Sequence, residues 1–160
     1  MITTPLFDIH KDMGARFVNF NGWDMPVWFE DLNKEHIKVR QEAGIFDVSH
    51  MGEFKIHGKG AENFLQLVTV NDVKKISNGQ AQYSAMCTSN GGIIDDVILY
   101  RFNEYFMMVV NAANIKDDFN WLLENSNDEV FIEDISDDLN LIAIQAVSYT
   151  HLTLPTSDLV

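Results

Sequence analysis

The sequence has 160 residues, 46% hydrophobic and 22% charged, the makeup of a globular protein able to bury a core in one or two small domains. Its formal charge of −13 and the lack of any clustered Lys/Arg stripe exclude nucleic acid as a partner, and no apolar run approaches the roughly 20 residues that a membrane helix needs. A single cysteine, Cys87, excludes an internal disulfide framework; together with an N-terminus that reads as neither signal nor transit peptide, it points to a cytoplasmic protein.

In chain order, Thr4 as N-cap and Pro5 at the first helical position predict a short helix from Pro5 to Met13, ended by Gly14. Residues 16–20 alternate as a strand does, and Asn21-Gly22 supplies the tight turn into a second strand over 23–29. Asp31 to Ala43 reads as a weakly amphipathic helix terminated by Gly44. A strand through Phe54 and Ile56 is broken by Gly58, and Ala61, Phe64, Leu65 and Val68 recur at helical spacing. Residues 80–87 and 93–102 pair antiparallel across Ser89-Asn90-Gly91-Gly92, and 105–110 returns after Asn103-Glu104, which gives a three-stranded meander. Ile115, Phe119 and Leu122 define one side of a helix over 115–123 that covers a face of this sheet, with short strands at 130–132 and 141–144. The acids at Asp117-Asp118 and along 128–138 read as solvated faces and loops. Hairpins and interspersed helices without regular βαβ alternation place the chain in the α+β class, with an antiparallel sheet meander flanked by helices.

The run Asn90-Gly91-Gly92-Ile93-Ile94-Asp95-Asp96-Val97-Ile98-Leu99-Tyr100 puts two adjacent carboxylates at the start of an apolar strand. By the period of two, Asp96, Ile98 and Tyr100 share one face, and Asp95, Val97, Leu99 and Arg101 the other. An acid, an aliphatic and an aromatic on one surface suit a flat ligand with polar edges. On this motif alone the segment also reads as a turn followed by a core strand. Other combinations fail. Asp47, Ser49 and His50 have the residue types of a nucleophilic triad, but in an extended run His50 faces away from the other two. The histidines at 10, 36, 50 and 57 show no metal-ligand pairing with one another or with Cys87. Gly58-Lys59-Gly60 lacks the spacing of a phosphate loop, and His50 and Trp23 read as packing residues.

Five further segments carry a resemblance: Gly22-Trp23-Asp24-Met25-Pro26-Val27, Phe46-Asp47-Val48-Ser49-His50-Met51-Gly52-Glu53, Asn71-Asp72-Val73, Gln80-Ala81-Gln82-Tyr83-Ser84 and Val109-Val110-Asn111-Ala112-Ala113-Asn114. In this order, and with the Asp95-Asp96 strand, they closely resemble the N-terminal part of the T-protein of the glycine cleavage system, over roughly residues 3–146. The resemblance implies part of a multi-domain folate-binding fold: a lobe over residues 51–136, and a first lobe from 1–50 plus 137–146 that is incomplete here. It also implies an aminomethyltransferase of glycine catabolism and one-carbon metabolism. Such an enzyme takes an aminomethyl group from the lipoyl arm of the H-protein, releases ammonia and forms methylenetetrahydrofolate, with no metal and no pyridoxal phosphate. Carried over residue by residue, Asp96 is the catalytic carboxylate, orienting the folate and favouring the positive charge that develops as ammonia leaves. Met51, Tyr83, Asp96, Ile98, Tyr100, Val110 and Asn111 are the folate-binding set. A core role stays open for Tyr83 and Met51, and a turn or helix-cap role for Asn111.

Residues 147–160 fall outside the resemblance, which stops at Ala146. Val147-Ser148-Tyr149-Thr150-His151-Leu152-Thr153-Leu154-Pro155-Thr156 looks like an in-frame translation of a library-preparation adapter, so the tail is expected to be non-native; composition by itself also allows an ordinary Thr-rich end. The resemblance implies that further folate contacts and a C-terminal domain would lie beyond Gln145, so the fragment is expected to be inactive alone. The alternative function is that of folate-binding relatives that assist iron–sulfur cluster assembly, whose motif would lie in a region not encoded here. The folate domain of a demethylating flavoprotein is disfavoured because Met1 stands at the T-protein start, and a purely structural protein is the remaining reading.

Overall fold

Turn chemistry and alternation decide the first 50 residues of the computed structural model, which describes residues 1–146; the expectation for residues 147–160 lies outside the described residues. After the two-residue strand β1 (Ile2–Thr3) the chain turns through Pro5 and Leu6 into α1 (Phe7–Asp12). The helix expected from Pro5 with Thr4 as cap begins later for a reason visible at Thr4. That side chain is buried and turned to Asp47, its hydroxyl donating to Oδ2 at 2.7 Å, and Leu6 stands at the N-cap with no side-chain cap bond. Strands β2 (Arg16–Phe20) and β3 (Trp23–Trp28) form a hairpin across Asn21 and Gly22, whose φ values of 50° and 91° are those of a tight turn matched to strand twist. β1 adds to the edge of β3 in parallel.

Asp31 caps α2 (Leu32–Gln41), its carboxylate accepting the Lys34 N–H at 2.9 Å. Gly44, expected to end this helix, instead opens β4 (Gly44–Asp47), a strand the sequence did not announce. A Cβ at Gly44 would lie 2.5 Å from Val39 Cγ2, so glycine is needed there for close packing under the helix.

Residues 51–140 form a separate unit around a single sheet. Its elements are β5 (Gly52–His57), α3 (Ala61–Val68), β6 (Ala81–Cys87), β7 (Ile93–Arg101), β8 (Tyr105–Val110), α4 (Ile115–Asn125) and β9 (Phe131–Asp134). The expected meander β6-β7-β8 is present, but the sheet has five strands, in the order β6-β7-β8-β5-β9 and antiparallel throughout. β5 reaches β8 only after three intervening elements, and no local hairpin signal reveals such a pairing. Gly58 ends β5 at φ +105°, where a Cβ would stand 2.3 Å from the Glu129 carbonyl oxygen.

Both helices cover the same face. Phe64, Leu65 and Val68 of α3 and Leu122 of α4 join Phe54, Ile56, Val97, Leu99, Met108 and Val110 in one buried cluster. Each such side chain, fully withdrawn from water, stabilises the fold by roughly 1.5–3 kcal/mol before entropy is counted. The opposite face carries Asp96, Ile98 and Tyr100. The unit extends past Asp134 because the 3-10 turn Ser136–Asp138 is tied to β5, where the Glu53 N–H donates to Ser136 Oγ at 3.0 Å. The chain then returns to the first unit, and β10 (Ile142–Gln145) pairs antiparallel with β4, Ile142 opposite Asp47.

Candidate functional site

The strand period separates the two adjacent acids. Asp95, Val97 and Leu99 point to the helix-covered side and are 7%, 1% and 0% exposed, while Asp96 is exposed on the outer face. Across the sheet Ala85 lies opposite Asp96, Tyr83 opposite Ile98 and Ala81 opposite Tyr100. The small Ala81 and Ala85 flank Tyr83 on that face and leave its ring 67% exposed. The same row continues from Ile98 to Val109 and on to Glu53.

Asp96 is held at both oxygens. The Tyr83 hydroxyl donates to Oδ2 at 2.9 Å and Asn111 Nδ2 donates to Oδ1 at 3.0 Å. The Asp96 carboxylate, through this bond first and its charge second, raises the Tyr83 phenol above its ordinary pKa, so Tyr83 stays a donor at neutral pH. Asn111 also reaches inward: its main-chain N–H donates to Asp95 Oδ2 at 3.3 Å and Nδ2 to Asp95 Oδ1 at 2.9 Å. One amide thus clamps both acids, and the Asn111 side chain is neither a helix cap nor a free turn residue.

Of the residues chosen from sequence, the structure brings Tyr83, Asp96, Ile98, Tyr100 and Asn111 to one face or its edge. Met51 is half-buried just before β5, beside Gly52. Val110 is different. Its side chain is fully buried in the core cluster, so it lines no ligand surface and instead fixes the strand end that presents Asn111. Asp118 also corrects the sequence reading. It is 1% exposed, not solvated, whereas its neighbour Asp117 is exposed. Burial first, then a bond to Asp95 and the charges of Asp95 and Asp117, push the Asp118 carboxyl up to about 7. The signal was present in the sequence, because Asp118 falls at i+3 from Ile115 and i−4 from Leu122, on the stripe that faces the core.

Two other groups of polar side chains stand apart from this face. In the first unit Asp47 accepts from Thr4 Oγ1, lies 2.8 Å from His10 Nε2 and accepts the Ser49 N–H at 3.0 Å. Burial opposes ionisation of Asp47, but the bonds from Ser49, Thr4 and His10 outweigh it and hold the carboxyl below its ordinary pKa. His50 packs edge-on to Phe20 and Trp23, with ring centroids 5.8 and 6.3 Å away, and Ser49 Oγ donates to the Leu141 carbonyl, so no triad converges. At the far end of β7 a polar hollow is bridged by an ion pair, Arg101 to Glu62 at 2.7 Å, and it holds none of the expected site residues. Among the described residues, no three His, Cys, Asp or Glu side chains gather as a metal site requires.

Residues 6–146 match the GCVT N-terminal domain. The chain belongs to that family. Similar curated proteins include an aminomethyltransferase of Chloroherpeton thalassium, 49% identical over 144 residues, which spans 89% of this chain and 40% of the relative. An aminomethyltransferase of Halothermothrix orenii is 47% identical over 146 residues, 91% of this chain and 41% of the relative. The crystal structure of glycine cleavage system aminomethyltransferase T from Bartonella henselae superposes with a TM-score of 0.79 at 34% identity, covering 91% of this chain and 40% of that one. The chain therefore spans about 40% of the length of the family members it matches, and its α+β architecture is theirs.

Proposed function

We propose that this chain carries the Asp96 half-site of a tetrahydrofolate-dependent aminomethyltransferase, acting in the cytoplasm on an aminomethyl group presented by lipoylated H-protein. The observation that carries this reading is the two-sided clamp on Asp96: an exposed carboxylate, fixed at both oxygens, beside the exposed ring of Tyr83 in a chain of this family. The donor set fits a folate. A flat heterocycle bearing N–H groups needs an acceptor of fixed direction and apolar walls, and Asp96, Ile98, Tyr83 and Tyr100 supply them on one face. Tetrahydrofolate, when bound, supplies the nitrogens that accept the one-carbon unit.

The protein's own part is orientation and charge. Tyr83 and Asn111 restrict Asp96 to one rotamer, so its carboxylate is already directed before a ligand arrives and no reorganisation is needed as charge develops. A fixed negative charge favours the positive charge that builds at the aminomethyl carbon as ammonia departs. Met51 and the main chain at Val110 border the same edge.

Two experiments test the reading. The 160-residue chain is titrated with tetrahydrofolate while its NMR spectrum is recorded, and the signals of Tyr83, Asp96 and Asn111 should move first. Residues 1–146 are then grafted in place of the matching part of the Chloroherpeton thalassium relative, and ammonia release from aminomethylated H-protein is measured. Asp96→Asn in that chimera should lower turnover by roughly 100-fold or more with the fold intact. Unchanged turnover would remove Asp96 from the chemistry.

A further inference from the structure

Beneath the Asp96 face, on the helix-covered side of the sheet, two carboxyls meet in a place from which water is excluded. Asp95 is 7% exposed and Asp118, one turn into α4, is 1% exposed. Two buried carboxylates cannot face each other without a proton between them, because each loses its hydration and repels the other. Asp95 already accepts N–H groups of Asn111 at both of its oxygens, at 2.9 and 3.3 Å, which makes it the acceptor of the pair. The proton therefore resides on Asp118. Asp118 Oδ2 is buried with no hydrogen-bond partner of its own, and Asp95 is the side chain bonded to this carboxyl, so a proton on Asp118 is shared with Asp95.

We infer that Asp118 is a positioning residue for Asp96: its carboxyl, bonded to Asp95 under the sheet, sets the Asp95–Asn111–Asp96 clamp that aims the Asp96 carboxylate on the opposite face. The linkage is continuous. Asp118 donates to Asp95, Asp95 anchors Asn111, and Asn111 Nδ2 reaches through to both the side chain and the carbonyl oxygen of Asp96, at 3.0 and 3.2 Å. Tyr83 closes the far side. Loss of the proton puts a second negative charge against Asp95, and the cheapest relief is for the two carboxylates to separate, dragging Asn111 and slackening Asp96. The charged groups that act on Asp118 are Asp95 across the packing interface and Asp117 in its own helix, and both favour the protonated form. Since that form is half lost near pH 7, the aim of Asp96 becomes pH-dependent in the neutral range. This inference rests on the folate reading only for what Asp96 is aimed at; the clamp itself is independent of it.

The test follows the side-chain amide pair of Asn111 by NMR in the 160-residue chain from about pH 5.5 to about pH 8.5. In the native chain these signals should shift with a midpoint near 7. Asp118→Asn offers a permanent N–H donor to Asp95 and should hold the Asn111 signals near their acid position at every pH. Asp118→Leu removes the donor and should displace them at every pH. If the native signals do not titrate, or if they still titrate in Asp118→Asn, the inference is overturned. A parallel tetrahydrofolate titration separates the two readings: affinity should fall several-fold between the pH extremes in the native chain and stay level in Asp118→Asn. Absence of folate binding under all conditions, with the Asn111 titration intact, would overturn the folate reading and leave the positioning role standing.

Discussion

Asp95 and Asp96 differ in nothing but strand parity, and parity gives them unlike energetics. Asp95 is a buried acceptor for two N–H groups of Asn111 and for the Asp118 carboxyl, so Asp95→Ala strands the Asn111 main-chain N–H and the buried Asp118 carboxyl, while Asn111 Nδ2 keeps Asp96. Each orphaned donor costs about 1–3 kcal/mol, and the variant should unfold at clearly lower urea. Tyr83 is the contrasting case. Its hydroxyl meets Asp96 on an exposed face, so Tyr83→Phe removes a screened bond and should leave the urea midpoint nearly unchanged, within about 0.5 kcal/mol. What Tyr83→Phe should change is tetrahydrofolate affinity, several-fold weaker by NMR titration, because Asp96 Oδ2 loses the partner that fixes its direction. If Tyr83→Phe costs as much stability as Asp95→Ala, the division between a buried clamp and an exposed working face is wrong.

At the scale of elements, the start of β5 and the start of α4 approach so closely that Gly52 admits no side chain. A Cβ there would lie 2.6 Å from Ile115 Cγ1 and 2.9 Å from Val110 Cγ2. Neither atom is at the free end of a flexible chain, so Gly52→Ala should force α4 outward, cost about 1–3 kcal/mol in urea unfolding and shift the Asn111 signals, since Asn111 follows Val110 directly. Legibility from sequence divides along the same line. α3 and its four core residues, β2 and β8 were readable because period and turn chemistry are local: Ala61, Phe64, Leu65 and Val68 state a helix, and Asn21-Gly22 states a hairpin. β4 was not, since a four-residue strand is defined by its partner β10, which lies far along the chain. The insertion of β5 between β8 and β9 was missed for the same reason. Within the site, the face shared by Asp96, Ile98 and Tyr100 follows from parity alone, but Asp118 required weighing its place on the apolar stripe of α4 above its place in an acidic pair. The Val110 side chain lies in the core because an apolar residue next to a polar strand-end residue alternates inward, which leaves only its main chain beside Asn111.

For the molecule as a whole, acidity acts on the two units in opposite directions. In the unit of residues 51–140, Glu53 and Asp118 are both held near 7, Glu53 by burial first and by the charge of Asp134 second. A carboxyl whose folded pKa lies above its unfolded value binds its proton more tightly in the folded state. Its stabilisation is full below the unfolded value near 4, fades as pH rises and is gone once pH passes about 7. Asp47 in the first unit is shifted the other way, so its contribution is full above 3.8 and is lost as pH falls through its lowered folded value. Urea unfolding followed through resolved NMR signals of residues 51–140 should therefore show the unfolding free energy falling between about pH 5 and about pH 8, by an amount on the order of a few kcal/mol. Signals of the first unit should not share that slope, because Asp47 is already ionised throughout this window. Glu53→Gln with Asp118→Asn removes both titrations and should flatten the profile of residues 51–140 while leaving the acid response of the first unit in place. A profile that keeps its slope in the double variant would mean that the general charge of −13, and not these two buried acids, drives the loss of stability at neutral pH.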